Sequence, residues 1–290
     1  MKIRNIFKAK KCVVSCEIFP PKPDMPLSTI FQTLDELVGM PLDFISVTYG
    51  AGGSSTARSL EIASKVQNQY KIETLAHLTC VGSSRKDIEE IAAALKRENI
   101  ENILALRGDL PAHMDPNCCS ADYGYASDLI AHLKQLDGFC IGAAAYPEGH
   151  PTCIDLTTDL RNLAYKVEAG ADFLISQLFF DNELFYRFIA KIRAMGINSP
   201  VSVGIMPVLN LKQIERMTSL CGASIPPKLG AMLERYKDNP VDIAAAGMEY
   251  ACEQISDLLD HGVDGIHLYT MNKASHTKEI MQHTGLMNMK

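Results

Sequence analysis

Apolar residues along the chain follow two alternating rhythms. Short runs with no polar interruption, such as Phe44–Val47 and Phe173–Ile175, are separated by longer stretches in which apolar residues return every three or four positions. The first pattern belongs to strands buried on both faces, the second to amphipathic helices. Eight strands are predicted, at Val13–Phe19, Phe44–Thr48, Thr74–Thr79, Asn102–Leu106, Cys140–Ala145, Phe173–Gln177, Val201–Ile205 and Gly265–Tyr269. Helices are predicted at Ser28–Val38, Thr56–Gln69, Arg85–Arg97, Ala126–Leu136, Leu156–Ala169, Asn182–Met195, Leu211–Ser219, Val241–Leu259 and Lys273–His283. Start and stop chemistry agrees with this. Ser83 or Ser84 precedes the third helix with Glu89 and Glu90 in its early turns, Asp155 can cap the fifth, and Gly170 ends it.

Consecutive parallel strands need a helical crossover, so the alternation predicts an α/β fold, a single (β/α)8 TIM barrel occupying 1–290 as one catalytic domain. The interval before the last strand is nearly twice the others, which predicts one or two extra helices between Pro226 and Leu259. A doubly wound open sheet draws its best support from GAGGSST at 50–56, after a strand and before a helix. The dinucleotide fingerprint from Gly50 and Gly52 would need its third glycine where Ser55 stands, so the match fails. The βα rhythm leaves no composition shift for a boundary, and no adenosylmethionine-type regulatory module is expected.

Composition narrows the partners. With 28 Lys+Arg against 34 Asp+Glu, a net charge of −6 and a pI of about 5.8, the chain lacks the basic face that neutralises duplex phosphates, so no nucleic-acid partner is expected. No window approaches the roughly 18 consecutive apolar residues of a membrane span. The basic start MKIRNIFKAKK leads into an apolar stretch that Ser15, Cys16 and Glu17 interrupt before signal-peptide length. Nine cysteines, an odd number with no CxxC pair, read as reduced thiols of a cytoplasmic protein. His and Cys never cluster at ligand spacing, so no metal is expected.

The polar residues carry a positional signal. Glu17 closes the first predicted strand, Thr48 and Tyr49 the second, His77 and Thr79 the third, Arg107 and Asp109 the fourth, Tyr146 and Glu148 the fifth, Gln177 the sixth, and Thr270 with Asn272 the eighth. The seventh ends in Gly204 and Pro207. Barrel enzymes hold their sites at this end of the strands, and buried polar groups must be hydrogen-bonded or solvated, so the ring predicts a functional mouth. Plainer explanations exist residue by residue. Glu17 could be an ion-pair partner across the barrel, Arg107 and Asp109 a salt-bridged loop, His77 a satisfied core histidine, and Phe179, Phe180 and Phe185 core packing.

The strings CEIFPPK (16–22), SVTYGAGG (46–53), AHLTC (76–80), ILALRGDLP (103–111), YASDLI (125–130), AAYPEGHP (144–151), DLRNLAYKVEAGADFLISQLFFD (159–181), GIMPVLNLKQ (204–213) and HLYTMNKA (267–274) occur in order along nearly the whole chain. In these strings the sequence resembles the bacterial 5,10-methylenetetrahydrofolate reductase family. The resemblance implies a flavoprotein that uses FAD to pass a hydride from NADH or NADPH to methylenetetrahydrofolate, in one-carbon and methionine metabolism. Position by position it implies flavin contacts at Tyr49, Ala51, His77, Arg107, Gly108, Asp109, Ala126, Tyr146, His150, Asp159, Asn162 and Lys166. Substrate contacts would be Thr48, Asp109, Gln177 and Gln213, with Glu17 as the catalytic acid and Asp109 its partner in catalysis. An acid in this role needs a raised pKa, which the apolar surroundings of Glu17 suit. Lys273 is expected near the folate carboxylates.

The chain departs from the family pattern at Cys16, where an aromatic is usual, at Met217, where a stacking aromatic would fall, at Tyr165, where a basic residue is common, and at Lys273, where the family carries Arg. A homo-oligomer is expected by family likeness. Three other readings stay open at this level. One is a flavin-free barrel lyase, although Gln177 stands where a Schiff-base lysine would be sought. Another is a subunit of a multi-protein reductase fed by a partner flavoprotein or iron–sulfur subunit. The last is a folate-binding protein without catalysis.

Overall fold

A strand whose residues are apolar on both faces needs partners on both faces, and closure into a barrel wrapped by helices supplies them. In the computed structural model, which describes residues 1–49, 53–108 and 122–289 and the side chains of these except 53–55, eight parallel strands close in sequence order. They are β1 (Val13–Ile18), β2 (Phe44–Val47), β3 (Glu73–Thr79), β4 (Asn102–Leu106), β5 (Cys140–Ala145), β6 (Phe173–Ser176), β7 (Val201–Ile205) and β8 (Gly265–Tyr269). The barrel shuts where β8 pairs with β1, Ser15 opposite His267 and Glu17 opposite Tyr269. Around it run α1 (Ile3–Ala9), α2 (Ser28–Leu37), α3 (Gly53–Ser64), α4 (Arg85–Arg97), α5 (Ala126–Gln135), α6 (Leu156–Glu168), α7 (Asn182–Ala194), α8 (Leu211–Cys221), α9 (Pro227–Tyr236), α10 (Pro240–Asp260) and α11 (Ala274–His283). Three of these, α8 to α10, lie between β7 and β8. No helix among the described residues is long and apolar enough to cross a membrane.

Local chemistry sets the helix starts. Ser84 and Asp87 form a reciprocal capping box on α4, with Asp87 in the role expected of a glutamate further along. Asp155 accepts from Thr158 N at 2.7 Å to start α6. Predicted strand ends at Phe19, Thr48 and Gln177 fall one residue beyond the observed ones.

The helix α1 is not among the predicted elements. Its apolar residues Ile3, Ile6 and Phe7 make too short a run for a period to show among Lys2, Arg4 and Lys8. Its place is nevertheless specific. Ile3 and Ile6 close the bottom of the barrel against Val13, Phe44, Leu75, Leu104, Cys140 and Phe173. Arg4 pairs with Asp172 at 3.0 Å, and Ile3 N donates to the buried Asn102 side chain at 2.8 Å.

Inside the barrel the chemistry therefore changes with height. The lower layers are apolar and plugged by α1. One step up the same inward faces carry Ser15, Ser46, His77 and His267, all buried, and above them Glu17 and Tyr269. Small residues make room for large ones. A side chain at Gly142 would meet the Phe173 ring at 2.7 Å, and one at Gly204 would meet the Tyr269 ring at 2.7 Å. The polar layer is held by hydrogen bonds within the barrel, so it stands as a preorganised upper floor rather than a packing defect.

Candidate active site at the barrel mouth

Glu17 lies at the centre of the upper layer, its side chain 20% exposed. Its Oε2 is 3.5 Å from the Ser46 hydroxyl, 3.4 Å from His77 Nε2 and 3.9 Å from His267 Nε2. His267 is fully buried. Its Nε2 is 3.3 Å from Ser46 Oγ and its Nδ1 2.8 Å from Ser15 Oγ, and Ser15 in turn donates to the Ile266 carbonyl at 3.3 Å. A continuous chain thus runs from the carboxylate through Ser46 and the imidazole to Ser15. Tyr269 stands beside it, edge-on to His267, its hydroxyl donating to the Ser176 carbonyl at 2.9 Å.

The electrostatics differ from the sequence expectation. Burial alone would raise the Glu17 carboxyl, but the His267 imidazole 3.9 Å away, His77 and the Ser46 hydroxyl outweigh it and hold the group below the usual glutamate range. The apolar neighbours in the sequence lie mostly on the outer face of β1, so they do not set the carboxylate's surroundings. His77 is lowered in turn by burial, against the pull of Glu17, and further by His267. Its Nε2 has no aligned hydrogen-bond partner among the described residues. Burial, then Glu17 and Tyr146, keep the Tyr269 phenol protonated far above neutrality.

A second group gathers where β5 and α6 meet the rim. Lys166 donates from Nζ to the Ala144 carbonyl at 2.7 Å, 5.7 Å from the Tyr146 ring centre, and burial lowers its ammonium to about 8 despite the charge of Asp159. Asp159 is 8% exposed, and burial raises its carboxyl against the charges of Lys166 and His150. Tyr146 packs edge-on to His150 at 4.7 Å, and Asn162 donates to Cys153 Sγ at 3.8 Å. Beyond the end of the neighbouring strand β4, the Arg107 guanidinium is 5.7 Å from the Tyr125 ring centre, and its buried Nε has no partner among the described residues. The adjoining Gly108 has φ +87, and a side chain there would lie 2.9 Å from Thr79 Cβ, so the position accepts only glycine without strain. A cavity of about 590 Å³ starts beside Tyr49 and His77 but runs outward between α3 and α4, lateral to the Glu17 cluster.

All but two of the predicted site residues have a described place. Glu17 and His77 meet directly. Tyr146, His150, Asp159, Asn162 and Lys166 form the second group, and Arg107 and Gly108 follow β4, Arg107 facing the ring of Tyr125, the residue before Ala126 at the start of α5. Tyr49 accepts from Thr56 at 2.7 Å, and the Thr48 carbonyl accepts from Ser59 at 3.0 Å. Two substrate contacts are engaged within their own loops. Gln177 Oε1 accepts from Leu178 N at 2.8 Å, and Gln213 bridges Leu209 N at 2.9 Å and the Pro207 carbonyl at 3.4 Å. Ala51 and Asp109 lie outside the described residues. Ser15, Ser46, His267 and Tyr269 were missed. Ser15 and Ser46 carry a period-two signal, each standing two positions before a strand-end residue, Glu17 and Thr48, while His267 and Tyr269 are out of phase with the strand-end residues Thr270 and Asn272.

A family model described as Methylenetetrahydrofolate reductase matches residues 2–285. Methylenetetrahydrofolate reductase (NADH) 1 of Arabidopsis thaliana is 37% identical over 300 residues, 99% of this chain and 50% of the relative. The 5,10-methylenetetrahydrofolate reductase of Escherichia coli (strain K12) is 34% identical over 273 residues, 94% of this chain and 90% of the relative. The chain spans about half the length of the plant relatives and most of the bacterial one. In fold it is similar to an uncharacterized Clostridium thermocellum protein that binds two copies of 5-methyl-5,6,7,8-tetrahydrofolic acid, with a TM-score of 0.63, 14% identity and 99% of both chains covered.

Proposed function

The chain belongs to the methylenetetrahydrofolate reductase family, and we propose that it uses FAD to carry a hydride from a nicotinamide nucleotide to 5,10-methylenetetrahydrofolate, releasing 5-methyltetrahydrofolate. The names of the plant relatives favour NADH as the donor. The observation that carries the reading is a carboxylic acid at the mouth of a barrel, wired through Ser46 to a buried histidine.

The described residues suit a flavin dinucleotide. Arg107 Nε, a buried donor, and His77 Nε2, a buried ring nitrogen, have no aligned partners among the described residues, and Lys166 supplies a second cation at the rim of a net-negative chain. Asp159 suits ribose hydroxyls. When bound, FAD supplies a carrier that accepts and returns a hydride, which allows both substrates to use one site in turn. For Ala51 and Asp109 the proposed flavin contacts rest on the resemblance alone.

The protein's own task is the proton. The methylene bridge of the substrate joins two nitrogens, and it becomes electrophilic only when one of them leaves. Glu17 in its acid form donates a proton to that nitrogen, the ring opens to an iminium, and the incoming hydride converts it to the methyl group. Overall one proton and one hydride are consumed per turnover. The carboxylate left behind sits 3.4 Å from His77 and, through Ser46, in contact with His267, which hold it in place until it takes up the proton consumed in the next turnover. A depressed Glu17 pKa is what a resting carboxylate shared with two imidazoles should show. Entry of a folate ring over the mouth removes water and favours the neutral acid.

Glu17→Gln tests this. Reduction by NADH requires no acid and should proceed, while reoxidation by methylenetetrahydrofolate should fall by about 10²-fold or more. A folded variant with normal folate-dependent reoxidation would remove Glu17 from the proton step.

A further inference from the structure

Beyond Ile18 the end of β1 has no strand partner on its β8 side, because β8 stops at Tyr269. The next turn provides a substitute. Thr270 donates from Oγ1 to the Glu17 carbonyl at 2.7 Å. Asn272 N donates to the same Thr270 Oγ1 at 3.0 Å. The Asn272 side chain then takes both backbone groups of Phe19, its Oδ1 accepting from Phe19 N at 3.1 Å and its Nδ2 donating to the Phe19 carbonyl at 2.8 Å. One amide side chain thus adds the rung that a longer β8 would have made.

Reaching that geometry costs the backbone something. Met271 and Asn272 both have positive φ, 50 and 55, in the left-handed region that non-glycine residues seldom occupy. Asparagine tolerates this conformation better than most, but a glycine would serve the turn alone at lower strain. A non-glycine pair kept there, with its amide spent on the peptide two residues past Glu17, indicates that the clamp and not the turn is what the position supplies. The other side of the strand end is already held, since Thr48 N donates to the Ile18 carbonyl at 3.0 Å.

Resting on the function proposed above, we propose that Asn272 is a positioning residue for the acid step: it fixes the Glu17–Phe19 backbone from the β8 side, so that the carboxylate meets the substrate nitrogen in one geometry. The same lock presents the half-exposed Phe19 ring at the mouth as a rigid apolar surface. Asn272 touches neither reacting atom. Its contribution is confined to the half-reaction that needs Glu17.

The test compares the flavin-loaded wild type with Asn272→Ala, Asn272→Gly and Asn272→Asp, with rates expressed per bound flavin. Glycine retains the left-handed turn but lacks the clamp, and aspartate retains the acceptor for Phe19 N but lacks the donor. In the alanine and glycine variants, anaerobic reduction by NADH should match wild type while reoxidation by methylenetetrahydrofolate slows about 10- to 100-fold. Aspartate should fall between, and the pH profile of reoxidation should move in all three because the surroundings of Glu17 change. Full reoxidation in the glycine variant overturns the clamp, as does equal loss of both half-reactions, which marks a purely structural role. If the wild type itself is reduced by NADH but not reoxidised by the folate, the proposed function fails first, and the variants are not needed to show it.

Discussion

Replacing Lys166 by Met should make the protein more stable at neutral pH. The buried ammonium titrates at about 8 instead of 10.5, so holding it charged in the fold costs about 3 kcal/mol, at roughly 1.4 kcal/mol per pKa unit. Methionine fills nearly the same volume without that cost. The lost hydrogen bond to the Ala144 carbonyl takes back about 1 kcal/mol, which leaves a net gain of about 2 kcal/mol. The pH dependence fixes the sign. Between pH 8 and 10.5 the unfolded wild type binds more protons than the folded form, so raising the pH stabilises the wild type and the advantage of the variant shrinks. Urea denaturation at pH 7 and at pH 9.5, on protein stripped of bound anions, reads both numbers. A diphosphate held beside Lys166 would repay the cost in the wild type alone, so the same variant should lose FAD affinity. A variant that is less stable at pH 7, or whose advantage does not change by pH 9.5, would refute the reasoning.

Gly108→Ala places a methyl group 2.9 Å from Thr79 Cβ at φ +87, and should destabilise by about 1–3 kcal/mol in thermal melts and reduce flavin content. Ile3→Ala opens a cavity under the barrel where the side chain is fully buried, and should cost about 2–4 kcal/mol in chemical denaturation with half-reaction rates per bound flavin unchanged. Because Glu17 is held below the usual glutamate range, folate-dependent reoxidation should rise as pH falls below neutrality while reduction by NADH stays flat, which stopped-flow absorbance would show.

The sequence made the barrel legible because strands buried on both faces leave uninterrupted runs such as Phe173–Ile175, and because Asp155 and Gly170 mark the ends of α6 in the residues themselves. It hid α1, whose role depends on a cavity formed by six strands that follow it in the chain. At the mouth, Glu17, His77 and Lys166 stood out as polar residues at strand ends or near a family motif. His267 and Ser46 did not, since a single polar residue in an apolar run is equally well explained by packing until the register sets Ser46 against Glu17. The direction of the Glu17 shift was illegible for the same reason: it is fixed by residues on three other strands. Nor could the sequence reveal that the Asn272 amide would spend itself on Phe19, because a positive φ leaves no mark when the residue is not glycine.

The most direct test of the account is the visible spectrum of the purified protein during one anaerobic cycle. It should be yellow, bleach on addition of NADH, and regain its colour when methylenetetrahydrofolate is added, with one 5-methyltetrahydrofolate formed per flavin reoxidised. A colourless protein that stays colourless with added FAD, or a flavin that NADH bleaches and the folate does not restore, would contradict it.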